Sequence, residues 1–449
     1  MGDRMSWLHK LGLRKSKKTA DTELALTWNE QGRHFFKSTS EKITGYHEQG
    51  LTFDMKPDPR PLDMAKAVLS EVIRLNTNDQ WQAARQRFDP AHEPFIPLLQ
   101  DHGQSLSCVT IIGPDACLLR LGTDYQDGDT ILIENGQLTR LTDILAVTTS
   151  RNHDWLLVVK TDGFHIRRSL QEADMFVLPW PCNARRLDEL YISNHGNRIA
   201  FAHEELGIWM GDGTSGIWRK FYPSVAHVEE LRTELEDETY EWSASMVHCA
   251  LSPDGRYLAY GTQDHGHDIE QVDDTFAVMR WASVNPNIDY PHNACFSDDG
   301  HFLALNGCHF YNGETLVVKI PESRNFIKAD YDPDPRTPVI DHVLRVYASI
   351  WLPADATGLD TGAFVLAGLG IMTAVTPEGK VLFSQYFGSS ASSIDYCPRT
   401  RRLYLGSYSG ILHVFDIDRQ AAPEETYGYK PRHELYRWIF WKDYLPFRW

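Results

Sequence analysis

Ala250-Leu251-Ser252-Pro253-Asp254-Gly255-Arg256-Tyr257-Leu258-Ala259-Tyr260-Gly261 sets two short apolar runs on either side of a polar turn. Pro-Asp-Gly is turn chemistry, because glycine accepts positive φ and aspartate bonds its own backbone. The flanking residues alternate as half-buried strands do. The same grammar returns at Cys295-Phe296-Ser297-Asp298-Asp299-Gly300-His301-Phe302-Leu303-Ala304-Leu305.

Looser copies lie on both sides. Ile112-Gly113-Pro114-Asp115-Ala116 precedes Cys117-Leu118-Leu119, and Arg151-Asn152-His153-Asp154 precedes Trp155-Leu156-Leu157. Ser193-Asn194-His195-Gly196-Asn197 precedes Arg198-Ile199-Ala200, and Pro398-Arg399-Thr400-Arg401 precedes Arg402-Leu403-Tyr404. A degenerate copy runs from Val346 to Leu352, turns through Gly358 and Gly362, and resumes at Ala363-Phe364-Val365. These seven units recur at roughly 38 to 62 residues, a period typical of propeller blades. The expected fold is therefore all-β, a β-propeller of about seven four-stranded blades over residues 105–420. An eighth unit stays open, because Leu24 to Phe36 shares the turn grammar and reads equally as an amphipathic helix. It is left outside the repeat. Residues 62–88, rich in Ala, Leu, Glu, Arg and Gln, predict helices within an N-terminal segment over 23–104.

Ser252-Pro253-Asp254-Gly255-Arg256-Tyr257-Leu258-Ala259 resembles the turn of WD40-type and related bacterial propellers. Gly406-Ser407-Tyr408-Ser409-Gly410-Ile411-Leu412-His413-Val414-Phe415-Asp416 resembles a WD40 blade end, with Phe415-Asp416 where Trp-Asp usually stands. The resemblance implies a rigid platform for binding proteins and no single reaction.

The net charge of -17 argues against bulk affinity for nucleic-acid phosphates and makes a basic protein the natural partner. Seven cysteines, none in a C-x-x-C pair, suit a reducing, cytoplasmic setting better than a disulfide framework. No apolar run approaches the ~20 residues of a membrane span, so no integral membrane association is expected. Residues 1–22, with Trp7 to Lys18 at their centre, read as a basic tail without a signal-peptide core.

No stretch carries chemistry above its ordinary reading. His265-Gly266-His267 is the most metal-like sequence, but no second His or Cys pair completes it, and no metal or cofactor is expected. Gly388-Ser389-Ser390 and Gly406-Ser407-Tyr408-Ser409-Gly410 do not fit a nucleophile elbow. Leu366-Ala367-Gly368-Leu369-Gly370 lacks the third glycine and the Lys-Ser or Lys-Thr of a phosphate loop. No catalytic residue is assigned.

Charge is more informative. Residues 223–243 read as a link between blades and hold Glu229, Glu230, Glu234, Glu236, Asp237, Glu238 and Glu241 against a single Arg232. Residues 262–274 read as a link between second and third strands, with Asp264, Asp268, Glu270, Asp273 and Asp274. Residues 330–339, with Asp330, Asp332 and Asp334, read as another inter-blade link. In a four-stranded antiparallel blade these connections emerge on one face. The expected function is a non-enzymatic interaction platform whose acidic face holds a basic protein partner. An inhibitor of the immunity-protein type is a narrower version. A propeller hydrolase or lyase working in the central channel is the alternative from another class.

Residues 427–449 pack nine aromatics, Tyr427, Tyr429, Tyr436, Trp438, Phe440, Trp441, Tyr444, Phe447 and Trp449, in a chain that is 12% aromatic overall. Such a segment is a liability in water. Residues 421–449 are therefore expected to dock on the propeller, with Leu435 to Trp441 adding a strand.

Overall fold

The computed structural model describes residues 18–52, 54–122, 128–182 and 187–449. The basic stretch from Trp7 to Lys17 lies outside the described residues. Strands hold 43% of the chain and helices 18%, so the molecule is mostly β. No helix among the described residues is long and apolar enough to cross a membrane.

Four helices come first: α1 (Lys18–Gln49), α2 (Leu62–Asn76), α3 (Trp81–Arg87) and α4 (Ile96–His102). Leu24 to Phe36 thus lies within α1 and forms no sheet. Ala25, Trp28, Phe35 and Phe36, at helical spacing, are its buried apolar side chains. α2 buries Val68, Leu69, Val72 and Ile73 against Trp28, Phe88 and Phe95. The helical stretch expected over 62–88 is broken at residues 77–80, where the backbone turns back from α2 into α3.

Four-stranded antiparallel sheets follow in chain order. The first holds β1 (Leu106–Gly113), β2 (Ala116–Leu121), β3 (Thr130–Glu134) and β4 (Gln137–Leu141). The second holds β5 (Ala146–Thr149), β6 (Leu156–Lys160), β7 (Gly163–Arg167) and β8 (Phe176–Leu178). The third holds β9 (Glu189–Ile192), β10 (Arg198–His203), β11 (Gly207–Asp212) and β12 (Ile217–Tyr222). A surface helix, α5 (Val225–Glu234), leads to β13 (His248–Leu251), β14 (Tyr257–Thr262), β15 (His265–Val272) and β16 (Val278–Val284).

The fifth sheet takes β17 (Tyr290–Phe296), β18 (Phe302–His309) and β19 (Asn312–Lys319). The chain then leaves it. β20 (Phe326–Lys328) pairs parallel with β16 of the preceding sheet before β21 (Val339–Asp341) returns to β19. The last sheet begins with β22 (Ala348–Leu352), short helix α6 (Ala354–Thr357), β23 (Ala363–Ala367), β24 (Leu369–Val375) and the long β25 (Val381–Cys397). The second half of β25 pairs with β26 (Arg402–Ser407), which pairs with β27 (Ile411–Gln420). β28 (Gly428–Tyr429) lies along the first half of β25. β29 (Arg432–Ile439) pairs with β27, and β30 (Phe447–Arg448) pairs with β29. The repeat pattern therefore runs past residue 420 and takes its last fourth strand from 432–439. First strands touch one another in succession, β1 on β5, then β9, β13, β17, β22 and the second half of β25, which returns to β1.

The turn that opened the sequence reading is a repeated device. Ser252 Oγ donates to Asp254 Oδ1 at 2.6 Å and accepts from Tyr257 N at 2.8 Å. Ser297 does the same with Asp299 at 2.6 Å and Phe302 N at 2.9 Å, and Ser150 with Asn152 at 2.7 Å and Trp155 N at 3.0 Å. Ser193 bonds Asn197 and Arg198 N, both at 3.2 Å. All four serines are buried. Three residues after each comes a left-handed position: Gly196, Gly255, Gly300 and, in the second sheet, His153 at φ +56°. His153 holds it with both ring nitrogens on backbone carbonyls, Ile111 O at 3.0 Å and Tyr396 O at 2.8 Å.

Removing a hub hydroxyl leaves the amide of Tyr257 or Phe302 without its acceptor, while the exposed carboxylates of Asp254 and Asp299 keep their bonds from Arg256 N and His301 N. Ser252→Ala and Ser297→Ala are each expected to lower stability by about 1–2 kcal/mol. Gly300→Ala meets open space, so its cost is the left-handed backbone alone, about 1–2 kcal/mol. Denaturant midpoints measure all three. An unchanged midpoint for the serine variants contradicts the hub role.

Candidate interaction face and central cavity

In a four-stranded antiparallel sheet the turn between second and third strands and the link to the next sheet emerge at the same end. Most inter-sheet links are short: residues 142–145, 285–289 and 342–347. The link over 223–247 is much longer and carries α5. Ser224 caps this helix, its Oγ accepting from His227 N at 3.1 Å. None of its residues is buried, and Val225 and Leu235 are exposed. Arg232 is turned inward onto Tyr240 O at 3.1 Å and onto Glu229 at 2.7 Å. Glu229, Glu230, Glu234, Glu236, Asp237, Glu238 and Glu241 therefore surround the link with one cation between them, itself already bonded.

The other acidic stretches are placed differently from the sequence reading. Residues 262–274 are not a link. Only residues 263–264 form the turn on this face, and residues 265–272 are strand β15. Asp264 stays on the face. Asp268 and Glu270 are buried in the sheet and share Arg280, each at 2.7 Å. Asp273 and Asp274 stand at the opposite end of β15, where Asp273 accepts from Thr275 N, Thr275 Oγ1 and Ala277 N. Residues 330–339 belong to the excursion between third and fourth strands of the fifth sheet and not to an inter-sheet link. Asp330 nonetheless reaches the acidic face beside residue 285, because Lys328 Nζ bonds both Asn285 O and Asp330 O. Asp332 is exposed there, while Asp334 is taken by Arg336 at 2.6 Å.

Sequence reasoning missed the aromatic residues on this face. The β18–β19 hairpin turns through Phe310 and Tyr311, which are 66% and 80% exposed. Val343 is exposed next to the hairpin, and Tyr331 is exposed after Asp330. Contacts between the links join these pieces. Arg345 Nη1 donates to Phe310 O at 2.7 Å, Gly313 N to Val343 O at 3.1 Å and Asn285 Nδ2 to Ala329 O at 2.7 Å. Toward α5, Cys308 Sγ lies 4.0 Å from Met246 Sδ, and Gln263 N donates to Ser245 O at 2.9 Å. The available signal was an aromatic pair at a two-residue turn, where a ring has no core to enter.

Inside the ring of first strands lies a cavity of about 420 Å³. Glu189 lines it and accepts from Tyr191 Oη at 2.6 Å. Burial raises this carboxyl to about 8. Burial also pushes His248 down to about 4 and His292 to about 3. Each donates through Nδ1 to a carbonyl, Met246 O at 2.8 Å and Val346 O at 2.6 Å, and each remains neutral. On the far side Arg151 approaches Cys295 Sγ at 3.4 Å and Asp298 at 4.0 Å.

The His265-Gly266-His267 stretch does not converge on one point. His265 bonds Asp268 at 2.7 Å and stacks on Tyr222, whereas His267 turns inward to face His248, ring centres 5.0 Å apart. A register irregularity between Tyr260 and Thr262 accompanies the split. Among the described residues no three His, Cys, Asp or Glu side chains gather as metal ligands.

No protein-family model matches this chain, and no curated protein matches it. The site is therefore read from its own geometry.

Proposed function

We propose that the chain is a seven-bladed β-propeller, akin to the WD40-like proteins its turns resemble, and that it works as a non-enzymatic platform for a basic protein partner. The architecture is supported by seven four-stranded units, the last two sharing β25, and by first strands that touch in cyclic order. Four repeated serine-centred turns support a common unit.

The observation that carries the function is the link over 223–247. Links between other sheets are short, as over 142–145, 285–289 and 342–347. Val228, Leu231 and Trp242 seat this connection on the core, while its seven carboxylates all stay exposed, a concentration of charge that packing does not require. Its exposed charge creates a potential that steers and orients a basic surface.

The test begins with affinity capture from the native cell and identification of the bound protein. Reversing Glu234, Glu236, Asp237 and Glu238 to Lys is expected to slow association of that partner by at least about tenfold at low salt, and less at high salt. These side chains are exposed, so the melting temperature should stay close to that of the parent. An acidic partner, or an association rate indifferent to the four changes, overturns the proposal.

A further inference from the structure

We propose that Phe310, Tyr311 and Val343 form an apolar anchor site on the acidic face, built to receive a basic protein segment with apolar residues at its centre. The inference rests on the platform reading and adds the part of the surface that holds the partner once charge has steered it.

Phe310 is the most informative residue. It stands at φ +50°, first of the two central positions of the β18–β19 turn. A two-residue hairpin with positive φ at that position favours glycine. A bulky ring there costs about 1–2 kcal/mol of backbone strain. The exposed ring recovers little burial, its contact being the edge of His309, ring centres 4.6 Å apart. Tyr311 is still more exposed. Local stability is thus spent to present two rings to solvent, the kind of departure from local rules found at functional positions. Tyrosine and neighbouring apolar groups are favoured anchors, since they bury large area at small entropic cost.

The surroundings decide the occupant. Asp289 borders the rings through His309, Asp330 lies beside residue 285 through Lys328, and the α5 link approaches the hairpin through the contact of Met246 with Cys308. The cations close to the rings are committed. Lys328 is buried on backbone carbonyls, and Arg345 is bonded to Phe310 O and to His292 Nε2 at 3.2 Å. Apolar anchors inside an acidic border complement an apolar centre inside a basic border.

The full chain is tested with a synthetic lysine–leucine amphipathic helix as probe. Two analogues serve as controls, one with serine for leucine and one with glutamate for lysine. The lysine–leucine peptide is expected to bind saturably and at least about tenfold tighter than either control. Phe310→Gly paired with Tyr311→Ser should weaken it by about tenfold or more through faster dissociation. Phe310→Gly relieves backbone strain, so the hairpin keeps its fold and weaker binding reports the rings. Equal binding of the serine analogue, or unchanged dissociation from the double variant, overturns the anchor. Slower association in the four-lysine variant alongside unchanged dissociation in the double variant removes the anchor and leaves the platform. Loss of both effects removes both. Sedimentation gives a further decision: a dimer that Tyr311→Ser converts to monomer makes the patch a contact between copies and overturns the proposal.

Discussion

Deleting residues 433–449 is expected to yield protein that is insoluble or has no cooperative melting transition. The segment supplies β29 and β30, so its loss leaves the hydrogen-bonding edge of β27 open along most of its length. It also removes Trp438, Phe440, Trp441, Phe447 and Trp449, all buried. Each buried ring contributes about 1.5–3 kcal/mol, and five together match the 5–15 kcal/mol that typically separates folded from unfolded states. The damage reaches the helical segment as well. Trp449 packs edge-on against Phe95 at 5.4 Å and donates through Nε1 to Phe88 O at 2.8 Å. The helices and the end of the sheet region therefore share one core, which also holds Trp28, Val68 and Leu69. Trp449→Ala alone is expected to cost about 3–5 kcal/mol. Solubility on expression and thermal melts followed by circular dichroism check both. A truncated protein that keeps the parent melting temperature refutes the shared core.

Acidification is expected to be the second strongly destabilising change. His92, His248, His267, His292 and His413 are all held below the ordinary imidazole value, chiefly by burial. In the unfolded chain they take up protons near 6.5, but in the folded protein only at lower pH. Between these values the unfolded state binds more protons, so stability is present above about 6.5 and is lost as pH falls toward about 4 for His248 and about 3 for His292. The loss is on the order of a few kcal/mol for each of these two.

Glu189 opposes the trend. Its folded value of about 8 means that the folded state holds the extra proton, so its contribution is present below about 4.5 and is lost as pH rises to about 8. Burial also raises Glu270, Asp298 and Asp395, but the five depressed imidazoles, joined by lowered carboxyls such as Glu434, outweigh these below 6.5, while Glu189 opposes up to about 8. The denaturant midpoint should therefore peak near neutrality and fall steeply between pH 6 and 4. His248→Gln should flatten the acid limb, and Glu189→Gln the limb above neutrality. A midpoint that stays level down to pH 4 contradicts the assignment of neutral buried imidazoles.

The repeated strand-turn-strand unit was legible because its physics is local. Ser252 to Gly255 and Ser297 to Gly300 close their turns with their own side chains, and alternation on either side marks the buried strands. The helical character of residues 62–76 was legible for the same reason, since propensity acts within a few turns. The excess of carboxylates over 223–243 is likewise a property of composition. By itself, then, the amino-acid order determined that the chain is rich in short antiparallel strands, where its turns lie and which link is most acidic.

Tertiary structure decided the rest. Whether Leu24 to Phe36 was a further unit or a helix depended on Trp28 finding Phe95, far along the chain. The strand over 265–272 was hidden because Asp268 and Glu270 look like loop residues until Arg280 of the next strand pairs with both. Asp273 and Asp274 moved to the opposite face for the same reason: eight residues read as a link carry the chain from one side to the other when they form β15. Asp330 reached the acidic face only because β20 pairs with β16 of another sheet. Hydrophobicity alone does not separate the exposed rings of Phe310 and Tyr311 from core aromatics; the pairing of His309 with Asn312, which puts both at a two-residue turn, does. Those outcomes depend on contacts between residues distant in the chain, and such contacts exist only once the sheets have assembled.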